Sequence, residues 1–541
     1  MSLKQGNSHW DAEADVIVVG FGGAGASAAL EAKQNGASVL VLECFNGGGS
    51  TAASGAVVYA GGGTPYQKAA GYDDTPEEMY KYLKSEIGDI MKDETLRRFC
   101  NESVDMIHWL EQQGVPFEAS MCPFKTSYPT DDYYLYFSGS ENNNLSKAIA
   151  KSAPRGHRAK GPGISGLTLF HALENSVRKN GIDVRCQTRV EKLVIDNDGK
   201  VIGVEGRSIA PETKAARVHS LLSLINSKLN TYMPPMGKVV DMICKAIFNA
   251  NAKPYRAKAR KGVIISAGGF MFNKEMVKKY NPIFLRCLPL GTYADDGTGI
   301  RLGQSAGGVT ANMDKMSAWR FYVPPEALMQ GVLVNRQGRR ICSEDLYGAK
   351  QGDYIVNNNG DAFLVFDDKT YRESKSHLGD QLAFFQKITT GPMLLFSRKK
   401  ADTLTELASK IGVSPKGLED TMSQYNDIAR KGKPDPLGKF EKRFVPQDTA
   451  PFYAVDCSLS GFTQTLTKFG IPTASMTLGG LVVNEETGQV KRADGSSIEG
   501  LYAAGRTAIG LCSNGYCCSG TSIADCVFAG RRAGRHAANL K

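Results

Sequence analysis

The chain has no run of about eighteen consecutive apolar residues, so no transmembrane span is expected. Histidine is scarce, seven in 541 residues, and no HxxxH pair occurs. CxxC is absent as well. The twelve cysteines stand singly except for Cys517–Cys518, the pattern of reduced, mostly buried thiols rather than of a zinc site or a disulfide framework. No metal is expected. Residues 1–12 are polar, lack the apolar stretch of a secretory signal and read as a flexible N-terminus, which with the thiol pattern points to the cytoplasm. With 42% hydrophobic and 22% charged residues, what remains is a globular chain with room for about two to four domains.

Positive charge is plentiful but local. Of the net charge of +10, most falls in residues 211–261, where ten Lys or Arg face only Glu212 and Asp241. No nucleic-acid motif accompanies this charge, so nucleic acid is not an expected partner. Apolar residues instead recur there at helical spacing: Val218, Leu221, Leu222, Ile225, Leu229 and Tyr232, then Met236, Val239, Val240, Ile243 and Ile247, separated by Pro234-Pro235. Two basic amphipathic helices followed by AKPYRAKARKG read as an interfacial anchor. Residues 207–261 are therefore expected to form a helical insert that meets a membrane surface, a packed hairpin or dimer contact being the alternative.

Glycine marks the ligand-facing turns. DVIVVG (15–20) is a buried parallel strand, residues 24–35 a small-residue helix, and SVLVLE (38–43) a second strand. The joint is a GxGxxG with Gly20, Gly22, Gly23, Ala24 and Gly25. Gly20 permits the turn, Gly22 lets the backbone approach a pyrophosphate, and Gly25 allows close helix–strand packing. Glu43, 18 residues after Gly25, stands where a carboxylate meets ribose hydroxyls and disfavours a 2′-phosphate. GGGSTAASG (47–55) follows, bringing Ser50, Thr51, Ser54 and Gly55 to a second small-residue loop of the kind a flavin requires. No histidine lies in 44–63 to attach a flavin through an imidazole, so the cofactor is expected to be non-covalent FAD. A strand ending in Ala267-Gly268-Gly269 supplies a third such turn, and residues 285–456 change composition to short mixed strands and helices, a separate cap.

Together DVIVVGFGGAGASAA, GGGSTAASG, VIISAGGF, GLYAAGR and the closing helix resemble the flavoprotein superfamily of fumarate reductase and the 3-ketosteroid dehydrogenases, over nearly the whole chain apart from 207–261. The resemblance implies an α/β fold: a glutathione-reductase-type Rossmann-like FAD-binding domain, from 13–206, 262–284 and 457–541, with an inserted α+β cap over 285–456. It also implies cofactor contacts at Val190, Gly505, Arg506, Ser522 and Ile523.

The fumarate branch fits poorly. GRRICSEDLYGAKQGD (338–353) has Tyr347-Gly348 where those members carry an arginine proton donor, and Ser475–Gly480 lacks their histidine. SNGYCCSGTSIA (513–524) is similar to the Y-x-x-x-G-x-[ST]-I element of 3-ketosteroid dehydrogenases, in which the tyrosine hydroxyl and glycine N–H bind the C3 carbonyl oxygen. YLYFSGSE, SAPRGHR and FYVPPEALMQGVLVN resemble the 4-dehydrogenase (5α) members, and the YPGPG of 1-dehydrogenases is missing.

The resemblance thus implies Tyr516 and Gly520 as the carbonyl clasp and Tyr322, in WRFYVPP, as base or proton relay. Cys518 or Ser519 occupies the place of a serine close behind the tyrosine, and Tyr133, Tyr134 and Tyr136 are pocket candidates. Cys517 and Cys518 are expected as small apolar wall residues rather than a redox dithiol. The expected activity is FAD-dependent formation or reduction of the C4–C5 double bond of 3-ketosteroids, with a steroid substrate and an external electron acceptor. The alternatives are 1,2-dehydrogenation, a fumarate-like enoyl reductase, and an electron-transfer flavoprotein subunit.

Overall fold

The computed structural model describes residues 9–461 and 472–540. Most of the expected flexible N-terminus and residues 462–471 of the expected C-terminal nucleotide segment lie outside the described residues. Residues 9–12 are already anchored. Asp11 N–H donates to the Arg256 carbonyl at 2.9 Å, its carboxylate accepts from Arg256 N–H at 2.8 Å, and the Arg256 guanidinium covers the Trp10 ring.

Strand β1 (Ala12–Val19) buries Val16–Val19 on both faces, as the middle strand of a parallel sheet must. It leads through the glycine turn into α1 (Gly23–Gln34), and β2 (Val39–Leu42) returns parallel, with Val16 opposite Val39 and Val19 opposite Leu42. β3 (Asp183–Arg185) extends the sheet beyond β2. β4 (Thr188–Ile195) and β5 (Val201–Ser208) form an antiparallel hairpin, followed by the helices α2 (Lys214–Tyr232) and α3 (Pro234–Asn251).

The next segment departs from the sequence reading. Residues 253–261 do not belong to the basic insert but open β6 (Lys253–Ile265), which lies parallel to β1 and antiparallel to β5. The reason is a period of two hidden under the charge: Tyr255, Ala257 and Ala259 point inward while the basic residues between them point out. Those cations are locally neutralised, Arg256 by Glu205, Lys258 by Glu13, and Arg260 by Glu13 and Asp15.

β7 (Gln489–Lys491) and β8 (Ser497–Ala503) complete the main sheet, β8 running parallel to β6 with Leu501 opposite Val263. The order is β7-β8-β6-β1-β2-β3. Between them the chain builds a four-stranded antiparallel sheet from Val332–Val334, Phe363–Phe366, Phe452–Asp456 and Lys399–Ala401, with hydrophobic clusters of its own. No described helix is long and apolar enough to cross a membrane.

The last helix, α4 (Thr521–Asn539), lies back across α1. A Cβ at Gly530 would stand 2.4 Å from the Ala24 carbonyl oxygen, and one at Gly534 would stand 2.3 Å from that of Ala28. The two helices therefore touch backbone to backbone, and Arg531 and Arg535 straddle the buried Glu31 carboxylate beside the contact. Replacing Gly534 by valine forces the helices apart. The expected cost is about 1–3 kcal/mol, read as a lower thermal midpoint with earlier release of cofactor, whereas Ala533→Ser on the same turn leaves both closer to wild type.

Candidate active site

Three glycine turns and one helix end converge at the C-terminal edge of the main sheet. In the first, α1 packs on the turn so closely that a Cβ at Gly25 would lie 2.0 Å from the Gly20 carbonyl oxygen. Gly23 N–H donates to Thr51 Oγ1 at 3.0 Å, tying the turn to the second loop. Glu43 ends β2 buried, with Oε2 accepting from Phe21 N–H and Oε1 from Phe45 N–H, both at 2.8 Å. These bonds fix the carboxylate and leave acceptor sites for further donors. Ser54 spends its hydroxyl on the local turn, donating to the Thr51 carbonyl, and Gly55 lies under the Tyr128 ring with its carbonyl accepting from Tyr128 OH. Val190 is buried on β4, in the hydrophobic cluster that holds Val19 and Leu42 at the ends of β1 and β2, and two residues before it Thr188 N–H donates to the Glu43 carbonyl at 2.8 Å.

The residue that joins the loops escaped the sequence reading. Asp295 accepts from Ser50 Oγ at 2.6 Å, Gly269 N–H at 2.9 Å, Thr292 N–H at 3.0 Å and Arg506 Nη2 at 2.6 Å. Arg506 also donates to Ser50 Oγ at 2.6 Å. One buried carboxylate thus gathers the second loop, the Ala267-Gly268-Gly269 turn and the Gly505-Arg506 turn. The acidic pair in YADDGTG (293–299) was the available signal.

The NGYCCSG loop is stitched down on several sides. Asn514 Nδ2 donates to the Ile87 carbonyl, Ser513 Oγ to the Leu478 carbonyl, and Ser519 N–H to the Ser138 carbonyl, while the Gly520 carbonyl accepts from Tyr59 N–H. Gly520 caps α4 at φ 96°, a left-handed conformation that suits glycine, so Ser522 and Ile523 fall in the first turn with amides free of helix partners. Tyr516 is buried, its ring 4.8 Å from that of Trp319 and 6.0 Å from that of Tyr347. The N–H groups of Gly520 and Ser522 lean on its phenol oxygen, yet burial holds the phenol well above its ordinary pKa and therefore protonated. The Ser519 hydroxyl lies beside the phenols of both Tyr136 and Tyr347, which burial likewise raises.

Tyr322 is not brought to this cluster. Its hydroxyl faces the Glu344 carbonyl at 3.5 Å and the Gln351 side chain, inside the hydrophobic core of the middle segment. The tyrosine that packs against Tyr516 is Tyr347, fixed where its own N–H donates to Ser140 Oγ at 3.0 Å. Tyr133 and Tyr134 sit farther along the same strand region as Tyr136, Tyr133 against Phe124 and Tyr134 under Arg158. Cys517 and Cys518 are buried, and burial keeps the Cys518 thiol far above the range in which it ionises. Both serve as wall, packed with the core beneath the loop.

Residues 15–523 match the family model described as FAD binding domain. The chain is 36% identical over 515 residues to the 3-oxo-5-alpha-steroid 4-dehydrogenase of Comamonas testosteroni, covering 92% of this chain and 93% of that one. It is 28% identical to a 3-oxosteroid 1-dehydrogenase of Mycolicibacterium smegmatis, over 92% of each. Among solved structures, the 3-ketosteroid-delta4-(5alpha)-dehydrogenase of Rhodococcus jostii RHA1, in complex with 4-androstene-3,17-dione, superposes with a TM-score of 0.81 at 31% identity and 99% coverage of both chains. The residues fit a dinucleotide: amides at the start of α1, the spare acceptor sites of Glu43, and one Arg506 nitrogen, Nη1, buried without a hydrogen-bond partner among the described residues.

Two outcomes are expected here. Asp295→Ala strands the Arg506 guanidinium, costing about 3–5 kcal/mol in equilibrium unfolding and weakening FAD retention. Separately, burial lifts the Asp525 carboxyl to about 6, against about 3.9 in an unfolded chain. The folded protein keeps a proton there that the unfolded chain has released, so this group's stabilisation is complete below about pH 4 and is lost as pH rises through about 6, by roughly 3 kcal/mol. Asp525→Asn should remove that step from the difference between thermal midpoints at acid and neutral pH.

Proposed function

The chain belongs to the FAD binding domain family, and on that footing we propose that it is an FAD-dependent dehydrogenase of 3-ketosteroids, introducing the C4–C5 double bond or, in reverse, reducing it. The observation that carries the reading is the meeting of a protonated, buried phenol with helix-end amides at Tyr516, Gly520 and Ser522. Such a pair of donors suits a ketone oxygen. FAD, when bound, supplies the hydride acceptor.

The chain's own residues supply the rest. Tyr516 O–H donates to the C3 carbonyl oxygen, and Gly520 N–H exchanges the phenol oxygen it leans on for that same oxygen, stabilising the negative charge that gathers there as the neighbouring carbon gives up its proton. That proton leaves for bulk water by a relay to which we assign Tyr347 and Ser519, with Tyr136 beside them, in place of Tyr322, each hydroxyl giving up one proton as it takes the next. A phenol held protonated by burial is a poor base by itself but passes a proton through a hydroxyl neighbour without carrying full charge. Trp319 and the ring of Tyr347 shield the oxygen from water, which strengthens both hydrogen bonds.

The main sheet supports a glutathione-reductase-type Rossmann-like FAD-binding domain, made from 13–206, the segment resuming at β6, and the part after 456, with residues 285–456 as the inserted cap. The protein works in the cytoplasm and passes its electrons to an external acceptor.

Anaerobic mixing with a saturated 3-ketosteroid should bleach the flavin absorbance, while succinate leaves it unchanged, and product NMR should locate the new double bond between C4 and C5. Tyr516→Phe should slow the bleaching about 10²–10³-fold, and Tyr322→Phe should not. Bleaching by succinate alone, or a C1–C2 product, would overturn the assignment.

A further inference from the structure

The helical hairpin α2–α3 packs Ala216 and Phe248 against the body, and carries a second apolar set that does not face inward. A hairpin packed on a globular body turns its apolar stripe inward. Here His219, Ser223 and Asn226 of α2 and Asp241 and Cys244 of α3 are buried. Meanwhile Leu221, Leu224 and Ile225 of α2 and Val239, Met242 and Ile243 of α3 are between 42% and 58% exposed. Nine of the nineteen large apolar side chains exposed among the described residues lie between Val218 and Ile243. So dense an apolar surface on one element marks a face that meets something.

Its charge says what. The only acidic residue on either helix is Asp241, buried and paired with Lys245. Lys214, Arg217 and Lys238 are exposed and, among the described residues, have no carboxylate within ion-pair distance. The hairpin is held to the body from beneath, where Asn46 Nδ2 donates to the Ser220 carbonyl at 2.8 Å and the Phe45 ring stacks on His219. Among the described residues, Leu221, Leu224 and Ile225 on α2 and Val239, Met242 and Ile243 on α3 are left exposed on the opposite face.

We propose that this face lies flat on a bilayer leaflet containing anionic lipid, its apolar side chains in the acyl boundary and Lys214, Arg217 and Lys238 among the headgroups. Helices of 19 and 18 residues lying in the plane present a patch about 28 Å long. A second copy is disfavoured as the occupant, because a self-complementary interface would bring the same unpaired cations together. Membrane binding of this kind does not depend on the steroid chemistry.

The test is co-sedimentation of the FAD-loaded enzyme with vesicles of phosphatidylcholine alone or mixed with phosphatidylglycerol, at low and high salt. Two triple variants accompany it: Leu221→Ser with Leu224→Ser and Met242→Ser, and Lys214→Glu with Arg217→Glu and Lys238→Glu. The wild type should partition onto the anionic vesicles. Each variant should partition at least about tenfold less, with flavin content unchanged and with salt reproducing the charge-reversed result. Equal partitioning of the wild type and the charge-reversed variant overturns the proposal. So does wild type that stays in solution with both vesicles, or a wild-type dimer that the serine variant converts to monomer, which would make the face a contact between copies.

Discussion

The backbone contact between α1 and α4 is the constraint from which the site follows. Because Gly530 and Gly534 carry no side chains against the Ala24 and Ala28 carbonyls, the last helix of the chain lies against the first. Its N-terminal end is thereby carried to the same edge of the sheet as the opening glycine turn. Gly520, Ser522 and the Tyr516 phenol stand where they do because that helix starts there. Two segments some five hundred residues apart in sequence form one site, and their meeting requires small residues rather than strong bonds.

Around that contact the charges are few and heavily shared. Asp295 holds four groups from four stretches of chain, and Glu43 is clasped by the amides of both its neighbouring turns. Around Tyr516 itself the groups are phenols, a hydroxyl, main-chain amides and a buried thiol, while the carboxylates of Glu141 and Glu86 act on Cys518 farther along the loop. Burial raises Tyr516, Tyr347, Tyr136 and Cys518, so each keeps its proton. Donors that stay protonated in a dry site polarise a carbonyl without needing a metal or an imidazole.

Local pattern made the nucleotide half legible. The strand–helix–strand unit, Glu43 and the later glycine turns each obey a short-range rule, and the fold has that unit, with Glu43 directly after β2. What the sequence concealed depends on contacts between distant segments. Tyr322 and Tyr347 are both aromatic residues near glycine or proline, and only the fold shows that one points into a core and the other at Tyr516. Asp295 looks like a turn residue until Arg506 arrives from two hundred positions later. Residues 253–261 misled for another reason: their positive charge outweighed the alternation that makes them a strand. In the hairpin before them the helical period was correct, while the outward direction of its apolar face was open to several readings.

The account stands on polarisation of a ketone by Tyr516 and Gly520, and vibrational spectroscopy reads that quantity directly. With a 3-ketosteroid labelled with ¹³C at C3, the isotope-edited carbonyl stretch of the bound ligand should fall below its value in water. It should move back toward that value in Tyr516→Phe, with the ligand still bound. A stretch that is the same in both proteins would mean that the phenol does not touch the oxygen, and the central claim would be wrong.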